Sequence, residues 1–395
     1  MSPRHGAGTP VSTDGPKIPG SLADPRGRTP ILGQEAALAE LKDALRTGRM
    51  PAAWILHGPD GIGKLSTALR FARLLLEPDL DPESIDTFAP PPGSSTSRLI
   101  DAGTHPDLRT IRKELAATSE IPRLRESKQR AIPIDLLREH MLGGEVEGRR
   151  FDAVHARTPF KGVRRVFIID EAELLNPQGQ NALLKTLEEP SPRTVIILVT
   201  TRDERMLPTV RSRCRRVPFR TLGTEAMEAW LAGSEHDLDA ADRDWLLEFS
   251  EGSPGRLEEA LRTGMATWNA TVAPGMARLE QGGWPGGLAD TLAELVDEYA
   301  KAVVKSDKRA SKEAANRTGL ANLVAVLASR LRSRLESAAG DGDDDLVESC
   351  SIAIERLADA ESRAARNLNL KFVMAGLVAA IGDAFGVGDP ARPSA

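Results

Sequence analysis

Two kinds of apolar patterning divide this chain near residue 223. Before it, short unbroken apolar runs at 52–56, 166–169 and 195–199 read as parallel strands covered on both faces. The run at 166–169 stops at Asp170 and Glu171, and the run at 195–199 delivers Thr200 and Thr201 to the same edge. Ligands of α/β sheets bind at such carboxyl ends. Between these two runs lies a helix with its punctuation intact. Asn176 can cap it, Pro177 suits the first helical position, Leu183, Leu184 and Leu187 mark one face, and Pro190 ends it.

After residue 223 the period is helical throughout. Trp230, Leu231, Trp245, Leu246 and Phe249 suggest a small helical lid, ending at Gly252-Ser253-Pro254-Gly255-Arg256. Pro274, Gly282, Gly283, Pro285, Gly286 and Gly287 mark a loose connection. Beyond it, Leu288, Leu292, Leu295, Val296, Tyr299 and Val303 form one apolar face, and Leu320, Leu323, Val324, Leu327, Leu331 and Leu335 a second. Leu346, Cys350, Ile354 and Leu357 begin another helix, set off by the acidic loop 341–345, and residues 367–381 form the last.

The remaining segments carry weaker patterns. Residues 1–29 and 387–395 have little to bury and read as disordered tails. Folded sequence begins near Ile31, and Leu38, Leu41 and Leu45 recur at helical spacing. The Pro-rich run at 89–92 and the Gly-Ser-Ser-Thr-Ser after it look like a flexible loop, and 112–130 like a solvated, charged insertion. A helix starts at 132–135 and continues through Leu136, Leu137 and Met141. His105, in Thr104-His105-Pro106-Asp107, stands without partnering ligands and reads as structural.

Chemistry enters at Gly58-Pro59-Asp60-Gly61-Ile62-Gly63-Lys64, directly after the first strand. Gly58, Gly61 and Gly63 let the backbone curl so that its N–H groups face a phosphate, and Lys64 would reach the outer phosphates. The next residue should carry a hydroxyl for Mg²⁺ but is Leu65. Ser66 lies about 100° further round the helix and cannot simply substitute. Two readings stay open. In one, the site holds ATP weakly and turns it over poorly or not at all. In the other, the loop only links strand to helix. Asp170 and Glu171 favour the first, being the residue types that hold the metal and prime the attacking water.

Composition removes several classes of function. A net charge of −5 with 28% charged residues argues against broad, charge-driven DNA binding by this chain alone. There is no apolar run of about 18 residues to span a membrane, and no apolar signal-peptide core at the N-terminus. Cys214 and Cys350, far apart in sequence, make no disulfide framework and suit a reducing cytoplasm. Cys214 lies in basic surroundings but lacks a His partner, so it reads as structural rather than nucleophilic.

The phosphate loop, Ile168-Ile169-Asp170-Glu171-Ala172-Glu173-Leu174-Leu175, the 181–190 run NALLKTLEEP, Ser212-Arg213-Cys214 and the 102–108 run AGTHPDL together resemble the clamp-loader branch of the AAA+ ATPases. Within it they resemble the family of bacterial DNA polymerase III delta-prime subunits. The resemblance is continuous over roughly residues 30–222 and fainter beyond. It implies an α/β AAA+ phosphate-loop domain with a parallel sheet (30–222, with 79–130 a variable insertion), a helical lid (223–275) and an all-helical collar for oligomerisation (276–386). The start of the first domain would flank an adenine pocket, and Thr104-His105-Pro106-Asp107 would be a strand-entry feature. Thr201 would be the first sensor of the γ-phosphate, with Thr200 as the fallback, and Arg256 a second-sensor residue. Arg213 would be a finger reaching into a neighbour's nucleotide site. The family often carries a four-cysteine zinc module, but no cysteine lies in that region here, so no zinc is expected.

By the same resemblance the protein would be a cytoplasmic, non-motor subunit. It would act as stator among gamma/tau and delta subunits that load a sliding clamp onto primed DNA during replication. It would have little or no ATPase and no polymerase site of its own. The alternatives are an active gamma/tau-type ATPase and an AAA+ remodelling protein outside replication.

Overall fold

A computed structural model describes residues 31–127, 129–160, 163–233, 238–306, 311–364 and 369–388, with side chains of 360–364 left aside. The tail expected at 1–29, most of that at 387–395 and the expected helix start at Asn367 lie outside the described residues. The chain divides into two compact units, one within 21–237 and 250–256, the other within 238–249 and 257–395.

The first unit is built on seven strands: β1 (Ala53–His57), β2 (Leu108–Ile111), β3 (Gly144–Val146), β4 (Arg149–Phe151), β5 (Arg165–Ile169), β6 (Thr194–Thr200) and β7 (Arg215–Pro218). Five of them form one sheet in the order β2-β5-β6-β1-β7, every pair parallel. β3 and β4 make a separate antiparallel hairpin. Alternate side chains of the central strands enter different cores. Trp54, Leu56, Val166, Ile168, Val195, Ile197 and Val199 pack with the helices Glu35–Thr47 and Lys64–Leu76. Ala53, Ile55, Phe167, Ile169, Ile196 and Leu198 pack with 116–141 and the helix Pro177–Glu188. Covering both faces is what allows these strands to be continuously apolar. Each fully buried large side chain contributes about 1.5–3 kcal/mol over an exposed one. The expected α/β class, parallel sheet and helical C-terminal region are therefore what the chain has.

Polar side chains shape the ends of these elements. Asn176 caps the Pro177–Glu188 helix, its Oδ1 accepting from the Gly179 N–H at 2.8 Å. The amino end of the sheet is closed by a buried ion pair. Arg165 donates to Asp107 Oδ1 from Nη2 at 2.7 Å and from Nε at 3.2 Å, and also to the carbonyls of Val154, Arg157 (3.0 Å) and Thr158 (3.1 Å). Asp107 also accepts from the Phe160 N–H at 2.9 and 2.8 Å. His105 takes part through Nδ1, which accepts the Asp107 N–H at 3.2 Å. Asp107 immediately precedes β2, so the segment works structurally at strand entry.

Three sequence expectations need correction. The segment 112–130 is not a solvated insertion. Ala116, Ile121 and Leu124 are buried in the second core, and Ser119 is buried beside them. Apolar residues at every third to fifth position are enough to seat a highly charged stretch. The flexible loop expected after Pro92 is instead the cap of a short helix, Ser95–Asp101, with Ser94 Oγ accepting from Ser97 N–H at 3.1 Å. Pro274 does not mark a connection but lies inside the helix Met265–Glu280. Burial of Met265, Trp268, Val272, Met276 and Leu279 along one stripe carries that helix past the lost hydrogen bond.

Among the described residues the second unit is helical, with Met265–Glu280 followed by Leu288–Ser306, Lys312–Asp341, Asp344–Ala364 and Leu370–Ala384. Its core takes Leu292, Val296, Leu323, Leu327, Leu331, Cys350, Leu357 and Met374. Trp268 meets Tyr299 edge-on at 6.0 Å. The acidic turn between two of the helices falls at Gly342, which adopts the left-handed conformation (φ 74°).

The buried pair at the foot of the sheet makes a stability prediction. Asp107→Ala strands the Arg165 guanidinium and should cost about 3–5 kcal/mol in urea unfolding, more than Asp152→Ala at an exposed pair.

Candidate functional site

The parallel register brings three strand ends together. His57 lies opposite Thr200, and Ile169 opposite Leu198, so the phosphate loop, Asp170 and Thr201 all leave at the carboxyl edge. The loop's backbone needs its glycines. Gly58 has φ 143°, and a Cβ there would sit 2.2 Å from the Phe219 carbonyl oxygen. Gly61 has φ 71° and touches the backbone of Gly255 so closely that a Cβ would fall 2.4 Å from Ser253 Oγ. Gly63 (φ 90°) precedes the helix Lys64–Leu76, whose first turn opens onto the loop.

The Gly252–Arg256 turn is fastened to this loop. Ser253 Oγ donates to the Asp60 carbonyl at 2.9 Å, and Gly255 N–H donates to the Gly61 carbonyl at 2.8 Å. Arg256 therefore starts beside the loop, but its guanidinium is drawn to Glu251 at 2.7 Å.

The charged groups are each committed. Lys64 is only 5% exposed and donates to the carbonyls of Gly58 (2.9 Å) and Pro59. Burial lowers its pKa, against the opposing pull of Asp60, Glu173 and Asp170. Burial pushes Asp170 up to about 6, with Arg112 opposing and Glu171 adding to the rise. Glu171, in the left-handed region at φ 50°, pairs with Lys113 Nζ at 2.6 Å. Thr201 is held by Glu173, whose Oε1 accepts both the Thr201 hydroxyl and its N–H (3.2 Å). Burial would raise the Glu173 pKa, but hydrogen bonds from Thr201 and Thr200 outweigh it and hold the carboxyl below its ordinary value. His57, at the end of β1, faces Asp203 at 3.6 Å, and burial lowers its pKa.

Glu173 is the residue that sequence reasoning missed. It lies two positions beyond Glu171, and the spacing alone carries no sign that the chain turns it back toward Thr201. The signal that existed was an acid repeated at 171 and 173 after a strand end.

The residues partly fit a nucleotide with its metal. The glycine loop, the helix N-terminus and Lys64 suit phosphates. Leu65 offers no hydroxyl and packs instead against the core beneath the helix. Among the described residues no group of three or more His, Cys, Asp or Glu is placed to hold a metal ion. Within the same limits, no helix is long and apolar enough to cross a membrane.

Arg213 lies elsewhere. It precedes β7, whose Arg215 is opposite Trp54 near the amino end of β1, whereas the phosphate loop leaves the carboxyl end. Phe219 N–H donates to the His57 carbonyl at 2.7 Å, so Arg215 is four strand steps below the loop, roughly 13 Å. Arg213 pairs with Glu188 at 2.6 Å and donates to the Thr209 carbonyl at 2.9 Å. Cys214 beside it is half-buried, and burial pushes its thiol up to about 12, which accords with a structural role.

Residues 33–223 match the model of the family described as DNA polymerase III, delta subunit. The chain is 32% identical over 227 residues to the DNA polymerase III subunit delta-prime of Pseudomonas aeruginosa, covering 58% of this chain and 61% of that protein. It is 34% identical over 210 residues to the gamma/tau subunit of Mycobacterium tuberculosis, covering 51% of this chain and 30% of the relative. A solved gamma subunit-related protein of Thermotoga maritima aligns with 88% of this chain and 99% of its own at 18% identity, with a TM-score of 0.37. The chain thus spans about three fifths or less of the length of these curated relatives. Over the matched segment the chain is similar to the delta-prime and gamma/tau subunits of DNA polymerase III.

The raised carboxyl of Asp170 makes a pH prediction. A folded pKa above the unfolded one means that stability is fully present below about pH 4 and lost as pH rises through about 6. Asp170→Asn should leave stability unchanged near pH 4 and raise it by on the order of 2 kcal/mol at about pH 7.5, read by urea unfolding at both.

Proposed function

We propose that this delta-prime-like chain is a clamp-loader subunit that works as stator and lends Arg213 to the nucleotide site of its neighbour. The observation that carries this is the position of Arg213. It stands at the opposite end of the strands from the chain's own phosphate loop, beyond the reach of an arginine side chain. A planar, permanently charged guanidinium presented there is suited to neutralise a transferring phosphate in a second subunit. Glu188, its present partner, is half-exposed and would have to release it.

The chain's own site supports the passive half of the reading. Leu65 removes the metal-ligating hydroxyl, Lys113 engages Glu171, and Glu173 engages Thr201. ATP, if held, is held weakly, since the ion that stabilises charge in the transition state lacks a ligand. The partners of this reading are gamma/tau and delta subunits, with a sliding clamp and primed DNA reached through the complex, in the cytoplasm. No zinc enters it.

One observation favours a second reading, a gamma/tau-type ATPase. Asp170 remains at the strand end with Glu171 beside it, where metal and water chemistry would need them.

Two measurements separate the readings. The purified chain should show no ATP hydrolysis above background, and Leu65→Thr should restore nucleotide binding in part. Robust hydrolysis by the unaltered chain would make it a motor. In a reconstituted loader, Arg213→Ala should leave assembly intact and lower clamp-stimulated ATPase of the neighbour at least about tenfold. Unchanged ATPase would remove the finger.

A further inference from the structure

The first-sensor threonine of this chain is already engaged by an anion of the chain itself. Thr201 offers two donors, its hydroxyl and its N–H, and Glu173 Oε1 accepts both. These are the donors that a terminal phosphoryl oxygen would need. The other oxygen, Oε2, is buried. A second carboxylate, Asp170, ends the neighbouring strand. The phosphate loop itself is not consumed in this way, since Glu173 accepts no hydrogen bond from its N–H groups.

We propose that Glu173 stands in for a terminal phosphate, so that the loop takes a nucleoside diphosphate in preference to a triphosphate. This rests on reading the loop as a phosphate site, but not on the role given to Arg213. Two effects act together. A γ-phosphoryl group would find the Thr201 donors taken, and it would place a doubly charged terminal phosphate, about one net charge more than a diphosphate carries, next to a carboxylate in a half-buried space. A diphosphate ends short of that space and meets only the loop, the helix N-terminus and Lys64. Glu173 is then a specificity-determining residue, and the site is biased toward the state that a hydrolysed nucleotide would leave.

Displacement of a ribose-labelled fluorescent ADP from the full chain tests this, with ADP and a non-hydrolysable triphosphate analogue as competitors. The unaltered chain should favour ADP by at least about tenfold, the ratio expected when one additional like-charge contact goes uncompensated. Glu173→Gln keeps the shape and an acceptor oxygen for Thr201 but removes the charge, and it should bring the two affinities to within about threefold. Triphosphate binding that appears only in Glu173→Gln would also support the proposal. Equal affinities in the unaltered chain, or an unchanged ratio in a folded Glu173→Gln, would overturn it while leaving the phosphate site standing. Absence of nucleotide binding in both proteins would overturn it together with the phosphate-site reading. The ratio in the unaltered chain decides the matter even where the variant fails to fold.

Discussion

Everything in the first unit depends on five strands running the same way. A parallel ladder sends every strand's carboxyl end to one edge, and here that edge receives Gly58 from β1, Asp170 from β5 and Thr200 with Thr201 from β6. The ladder in turn depends on cover, because parallel strands with one bare face would leave Ile168 or Ile169 in water. The helix Lys64–Leu76 does both jobs. Its buried face closes one core, and its first turn points at the loop. Leu65 sits at the meeting of these duties, and it packs against the core.

The opposite edge is held by a different means. Charge is expensive to bury, and Arg165 with Asp107 is tolerable because further hydrogen bonds hold both, from Arg165 to the carbonyls of Val154, Arg157 and Thr158 and from the Phe160 N–H to Asp107. The pair ties the entries of β2 and β5 to the segment 154–160, so a stretch with only one short 3-10 helix, Val154–Ala156, becomes part of the frame. Such a network sets geometry more than it adds stability. At the carboxyl edge the contacts are simpler, Lys113 with Glu171 and Thr201 with Glu173.

Elements with strong local chemistry were legible from the sequence: the covered strands, the Asn176 cap, the glycine loop, and the helical faces of the second unit. What stayed hidden depends on distance in sequence. Lys113 meets Glu171 across 58 positions, and Glu173 meets Thr201 across 28. No periodicity encodes such pairings, because they follow from how turns at the strand ends are aimed. The segment 112–130 was misjudged for a related reason. Charge density dominated its composition, while the few apolar residues that seat it, Ala116, Ile121 and Leu124, carry no helical or strand period. Pro274 shows the converse, a local breaker overruled by the packing of five neighbours on its own helix.

The separation between the phosphate loop and Arg213 has a consequence for symmetry. A two-fold dimer could match the two ends only through one self-complementary face, the loop end of each subunit meeting the Arg213 end of the other. An assembly that uses the two ends as separate surfaces is instead directional, each subunit facing the back of the next. Such a chain of contacts either closes as a ring or grows as a filament.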